Sequence, residues 1–198
     1  MMDKNKFIDN YFKEVIQITE KIDKKKILLI IDKISILRKK KGRLFFLGIG
    51  GSAANSSHAV NDFRKLCSIE AYTPTDNVSE FSANINDSGW DSSFTNYLKI
   101  SNINSKDILF VLSVGGGNKS KKVSVNLIKS IEFAKKRNSS VISIVGRSDG
   151  FAAKNSDIAL QVPLVNKSLI TPFSESFQSV ILHCIVSSPI LQKHKTKW

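Results

Sequence analysis

Cysteine is scarce. Cys67 and Cys184 are the only two in 198 residues, and they do not form a short-spaced metal-binding or redox pair. A disulfide-stapled fold is excluded with them, and both are expected to be buried thiols in a reducing compartment. Long apolar runs are missing too: none approaches the roughly 20 residues that a bilayer-spanning helix needs. The opening MMDKNKFIDNYF interrupts its apolar residues with acids and polar groups before any hydrophobic stretch can form, unlike a secretory leader. The expected location is the cytoplasm, with no membrane partner. Acidic residues are outnumbered, 17 against 30 basic ones, for a formal charge of +13. Such a surface attracts anions of any kind, polyanions and phosphorylated metabolites alike. Its densest runs, Arg38 to Lys41 and Lys193 to Lys197, come without the aromatic–basic ladder of a nucleic-acid reader. A solvated basic surface is the better reading, and nucleic acid is not an expected partner.

What is present points to a packed α/β domain. Apolar residues make up 41% of the chain, enough for a real core. Phe7, Ile8, Tyr11, Phe12, Val15 and Ile16 fall three or four apart over residues 5–20, a helical stripe. Residues 23–40 repeat the pattern, and Gly42 is expected to end that second helix after a cationic last turn. The wide aromatic stripe of the first helix leaves two destinations open, a partner subunit or its own domain. From residue 43 the pattern becomes strand, glycine turn, helix. Short apolar runs predict strands at 44–47, 69–72, 108–112, 141–145 and 158–162. Helices are expected at about 53–67, 91–98, 122–136 and 173–192, with a short helix and a loop over 76–86. The alternation predicts an α/β fold, a doubly wound parallel sheet flanked by helices and preceded by an N-terminal helical hairpin. Residues 1–198 read as one domain, 1–42 being the helical pair and 43–198 the α/β core.

Two glycine turns stand where a strand hands over to a helix: Gly48 to Ser52, and Ser113 to Ser120. Glycine removes the side chain that would block a ligand, and the next helix offers unpaired N–H groups and the positive end of its dipole. Phosphate is the natural occupant. Neither turn is a dinucleotide fingerprint, since Ala53 replaces the third glycine, and neither ends in the Gly-Lys-Ser/Thr of a P-loop. Among ionisable residues, His58 and Asp62 are four apart on one predicted helix, and Glu175 and His183 are eight apart on another. Each pair faces one side. Two imidazoles and two carboxylates in one cleft would suit either a divalent metal such as zinc or acid–base chemistry on a sugar carbon.

These residues resemble a known family. Gly50-Gly51-Ser52-Ala53-Ala54 followed by His58 is similar to the first signature of the phosphoheptose isomerases. Thr75-Asp76 and Asn86-Asp87-Ser88-Gly89-Trp90-Asp91 are similar to their second stretch. Ser113, the Gly146-Arg147 turn and the segment from Thr171 to His183 match in order. The resemblance implies a SIS domain of flavodoxin-like topology, a homotetramer with sites at subunit interfaces, and in many members zinc. It implies interconversion of sedoheptulose 7-phosphate and D-glycero-D-manno-heptose 7-phosphate through an enediol. By that resemblance Gly51, Ser52, Ser113, Ser120 and the backbone of Gly115 and Gly116 hold the phosphate, and Asp87 meets sugar hydroxyls. Four positions depart from the family pattern. Ile49 stands for asparagine, Asp62 for glutamate, Glu175 for glutamine, and the second glycine loop is longer. Because Asp62 is one methylene short, Glu175 is expected to take the base role, with His183 as acid and His58 and Asp62 on the metal. The departures keep two other readings open: an enzyme on a different sugar phosphate, and a non-catalytic module that binds a sugar phosphate or a protein.

Overall fold

The computed structural model describes residues 4–196; the first three residues of the leader reading and Lys197 of the basic tail lie outside them. The helical pair comes first, α1 at Lys4–Lys21 and α2 at Lys24–Lys39. Asp23 caps α2 by accepting the Lys26 N–H at 3.0 Å. The left-handed residue that ends α2 is Lys41, with φ 53°, not Gly42. Glycine is needed at 42 for another reason: a methyl group there would collide with the Lys106 carbonyl.

The core follows as β1 (Leu44–Leu47), α3 (Gly51–Cys67), β2 (Ala71–Tyr72), α4 (Val78–Ser88), α5 (Ser93–Ile100) and β3 (Ile108–Ser113). It continues as α6 (Val125–Lys136), β4 (Ser140–Val145), α7 (Phe151–Asn155), β5 (Ile158–Gln161) and α8 (Ile170–Val186). The five strands are all parallel in the order β2-β1-β3-β4-β5, the flavodoxin-like winding expected. β1 and β3 are buried along their whole length. Alternate residues feed two cores. Leu44, Phe46, Ile108, Phe110 and Leu112 join one under α2, α3 and α8. Phe45, Leu47, Leu109 and Val111 join the other under α5 and α6. The order reverses between β1 and β3, which places the ligand crevice beyond their carboxyl ends.

The structure departs from the sequence reading in four places. A hairpin closed by the Asn118–Val123 bridge delays α6 to residue 125. The short α7 was not expected. α8 begins and ends earlier, and its Lys167–Val186 stretch is long and apolar enough to cross a bilayer by composition, contrary to the expectation that no such run exists. In this fold it is a core helix, with Phe173, Phe177, Ile181, Leu182, Ile185 and Val186 buried against the sheet. α1 packs on its own chain through Ile18 and through Tyr11, whose ring lies 4.8 Å from that of Phe173. Phe7, Ile8, Phe12 and Ile16 still face outward.

At the amino ends of the strands, α2, α3, α5 and α6 finish on cations: Arg38 and Lys39, Arg64 and Lys65, Lys99, Lys135 and Lys136. These complement the helix dipoles and account for part of the basic excess. Asp107 locks this rim. Its carboxylate is buried and accepts from the Arg43 backbone N–H, from Arg43 Nε and Nη2, and from the N–H and side-chain amide of Asn104. The hydrogen bond to Asp107 raises the Arg43 pKa. Removing one partner of such a pair strands the other, so Asp107→Ala should lower the unfolding free energy by about 3 kcal/mol in denaturant titration. The thiols give a second check. Cys67 is buried, contrary to no expectation, but Cys184 is exposed where a buried thiol was expected. Desolvation pushes the Cys67 thiol up to about 11. A thiolate-selective reagent at pH 8 should modify one cysteine per native chain, and two after unfolding.

Candidate functional site

α3 and α8 lie side by side on one face of the sheet, and Asn55 joins them. Its side-chain amide donates to the Glu175 carbonyl at 2.8 Å and to Gln178 Oε1 at 3.1 Å. Below this tie the seam carries three ligand-type side chains. His58 and Asp62, one turn apart on α3, meet His183 on α8. The two Nε2 atoms are 2.9 Å apart. Asp62 Oδ2 lies 3.2 Å from Nε2 of His58 and 3.6 Å from that of His183. The imidazole planes are nearly perpendicular, at 88°. Each histidine side chain is 53% exposed while Asp62 is only 14% exposed, so the carboxylate forms the floor and the rings the open walls. A cavity of about 240 Å³ adjoins them, bordered also by Lys65, Leu66 and Val186.

Two ring nitrogens this close can share one proton, one donating and the other accepting, or they can share a cation. The metal alternative has a geometric test. Tetrahedral zinc with ligands at about 2.0–2.1 Å has ligand–ligand edges of about 3.3 Å. The three edges here, 2.9, 3.2 and 3.6 Å, bracket that value. Two imidazoles and a carboxylate also form the donor set of an open catalytic site, with a fourth position left for solvent or substrate. The residues fit the ion.

Glu175 does not belong to this group. It precedes His183 by eight residues, about 12 Å along the helix axis, and helical side chains lean toward the N-terminus. Its carboxylate lies instead against Gly51 at the start of α3, where a methyl group would strike it. The expected four-residue set thus divides into three and one. The positive end of α3, expected to seat a phosphate, already faces a carboxylate.

Ser52 is buried at the start of α3 and Ser113 at the end of β3, on either side of the β1–β3 crevice. Ser113 Oγ accepts the Gly116 N–H at 2.9 Å. That amide is therefore engaged within the loop, not free for phosphate as expected. Ser120 sits on the exposed hairpin and donates to Asn118 Oδ1 at 2.9 Å. Gly115 lines a pocket with Arg147 and Lys121 instead. Asp87 lies in the last turn of α4, a helix without a buried residue, and accepts from Asn86 at 2.8 Å. Sequence reasoning missed Asn55, whose only signal is an amide one turn before His58 on the same helix. His194 in the basic tail is exposed, as expected of that surface, and its Nε2 lies 2.8 Å from Ser68 Oγ.

Comparison with known proteins agrees with the architecture. The chain is 30% identical to a phosphoheptose isomerase of Rhodospirillum rubrum over 127 residues, covering 62% of this chain and 64% of that protein. It is 28% identical to the lincomycin biosynthesis protein LmbN of Streptomyces lincolnensis over 156 residues, 75% of this chain and 56% of that one. The chain thus spans somewhat less than two thirds of the length of both relatives. The solved structure of a phosphoheptose isomerase from Francisella tularensis superposes with a TM-score of 0.82 at 23% identity, over 96% of this chain and 98% of the other, which establishes the fold. The SIS domain family matches residues 10–146, well over half of the sequence, and the chain belongs to that family.

Proposed function

We propose that this protein is a cytoplasmic sugar-phosphate isomerase that interconverts sedoheptulose 7-phosphate and D-glycero-D-manno-heptose 7-phosphate through an enediol. One observation carries the reading: His58, Asp62 and His183 converge beside a cavity on the α3–α8 seam. Aldose–ketose isomerisation needs a base to take a proton from one carbon and an acid to supply one at its neighbour. Asp62 is the base in this proposal and His183 the acid, with His58 holding the second imidazole in place through the 2.9 Å contact. Ser52 and Ser113 hold the polar chain of the sugar across the β1–β3 crevice, and Glu175 orients it from the start of α3. The kinship with a phosphoheptose isomerase supports the sugar class, and the departures at Ile49, Asp62 and Glu175 favour a second reading in which the sugar phosphate differs.

With a cation in place of the shared proton, the same three donors would instead hold zinc, which would supply a positive charge to polarise a substrate carbonyl. Residues 1–198 act as one domain in this reading. The outward Phe7, Ile8, Phe12 and Ile16 of α1 support assembly into a homotetramer.

The assay is aldose formation from sedoheptulose 7-phosphate by the purified protein. Asp62→Asn should reduce kcat at least a hundredfold, the usual size of a lost general base, while Glu175→Gln stays within about tenfold. The reverse outcome would return the base role to Glu175, and an inactive native protein with every seven-carbon substrate would sink the isomerase reading. Zinc binding is read separately, by competition with a chromophoric chelator. One ion per chain is expected, with affinity reduced at least tenfold in His58→Ala and in His183→Ala.

A further inference from the structure

The two densest basic runs of the sequence meet in space. Arg38 stands in the last turn of α2, and its guanidinium reaches the chain beyond α8. Nη1 donates to the Leu191 carbonyl at 2.6 Å and Nη2 to that of Ile190 at 2.8 Å. Nη1 also donates to the carbonyl of Cys67, the last residue of α3, at 3.4 Å. One side chain thus bridges the ends of both helices that carry the histidine cluster. Leu191 is fully buried and anchors the bridged segment in the core beneath those helices.

The chain then turns back toward the cluster. The Lys193 and His194 N–H groups both donate to the Leu66 carbonyl, at 2.8 and 3.1 Å. Leu66 and Cys67 hold two of the four carbonyls that the end of α3 leaves without partners inside the helix, so this segment meets a need built into α3. Thr196 borders the same cavity as His58 and His183.

The seam between α3 and α8 is therefore tied in two places. Asn55 joins the helices one turn before His58, and the second tie begins at Leu66, one turn after Asp62. The cluster lies between them. A helix pair joined at one place can pivot about it, whereas a pair joined on both sides of a site holds its spacing there. Contacts of 2.9, 3.2 and 3.6 Å leave little room for such a pivot, and groups of this kind work only when held to within about half an ångström.

We propose that Arg38, with the segment 190–194 that it clamps, is a positioning residue for the histidine cluster, holding α3 and α8 at the spacing that brings His58, Asp62 and His183 together. The inference rests on the reading of that cluster as the working site.

The test compares Arg38→Gln and Arg38→Lys with the native chain. In the native protein the Lys193 and His194 amides should be protected from hydrogen exchange, and Arg38→Gln should lower that protection at least tenfold. Its zinc affinity, read by chelator competition, should fall at least fivefold. Its kcat for sedoheptulose 7-phosphate should fall at least tenfold with KM within about twofold, as expected when acid and base are displaced but binding is kept. Arg38→Lys keeps the charge but ends in a compact ammonium, which cannot span carbonyls of two segments as the planar fork does. It should behave like Arg38→Gln, whereas a purely electrostatic role would be rescued. Asp107→Ala is the control: it weakens the same rim without touching the seam, and its zinc affinity should stay within about twofold of native. Lys193→Pro removes one N–H donor to Leu66 and leaves α2 untouched, so it reads the same tie if Arg38→Gln folds poorly, with at least a threefold loss of zinc affinity expected. Unchanged zinc affinity and kcat in the Arg38 variants, rescue by lysine, or an equal loss in Asp107→Ala overturns the role while leaving the site reading intact. A native chain that neither binds zinc nor turns over a seven-carbon substrate sinks the reading of the cluster, and this inference with it.

Discussion

The packing of α3 against α8 on one face of the sheet is the constraint on which the chemistry depends. Neither helix alone assembles the cluster: α3 brings an imidazole and a carboxylate one turn apart, and α8 brings the second imidazole. Their closeness rests on a sheet whose first and third strands are buried on both sides, and on a continuous apolar core beneath both helices. Asn55 fixes the longitudinal setting of one helix against the other by bonding both a backbone and a side-chain oxygen of α8. A slip of one residue along that seam would move His183 by about 1.5 Å and turn it by about 100°, enough to take it out of reach of His58. The buried polar tie thus supplies registry where apolar packing alone would tolerate sliding.

Much of this was legible in the sequence. Leu44 to Leu47 and Ile108 to Leu112 are continuous apolar runs followed by glycine, which is how a parallel strand at a topological switch point reads. The pairing of His58 with Asp62 was also legible, because residues four apart on a helix are true neighbours. The pairing of Glu175 with His183 was misread for an instructive reason. Eight residues share a face, but they are separated by two turns of rise, and a common face does not imply a common site. The exposed hairpin and α7 were missed because backbone bonds shape them. The Asn118–Val123 bridge and the two bonds from α7 to glycine carbonyls leave no periodic apolar signal.

The two glycine turns, alike on paper, have different fates. The first leads straight into α3, and Gly51 at its start lies against a carboxylate from α8. The second is spent on a loop that bonds to itself through Ser113 and Gly116, then to α7, before α6 begins. Glycine at the end of a parallel strand therefore marks where backbone is exposed to a ligand, while the elements packed around the turn decide what charge that ligand can carry.

The cationic helix ends gathered at the amino rim of the sheet have a practical corollary. They lie opposite the rim that carries the crevice, so the molecule has an electrostatic polarity along the strand direction. Adsorbed on an anionic resin at low ionic strength, it would settle on its basic pole with the crevice open to the flowing solution, and salt would release it. Orientation on a charged support is thereby set by the fold itself, without a chemical tether.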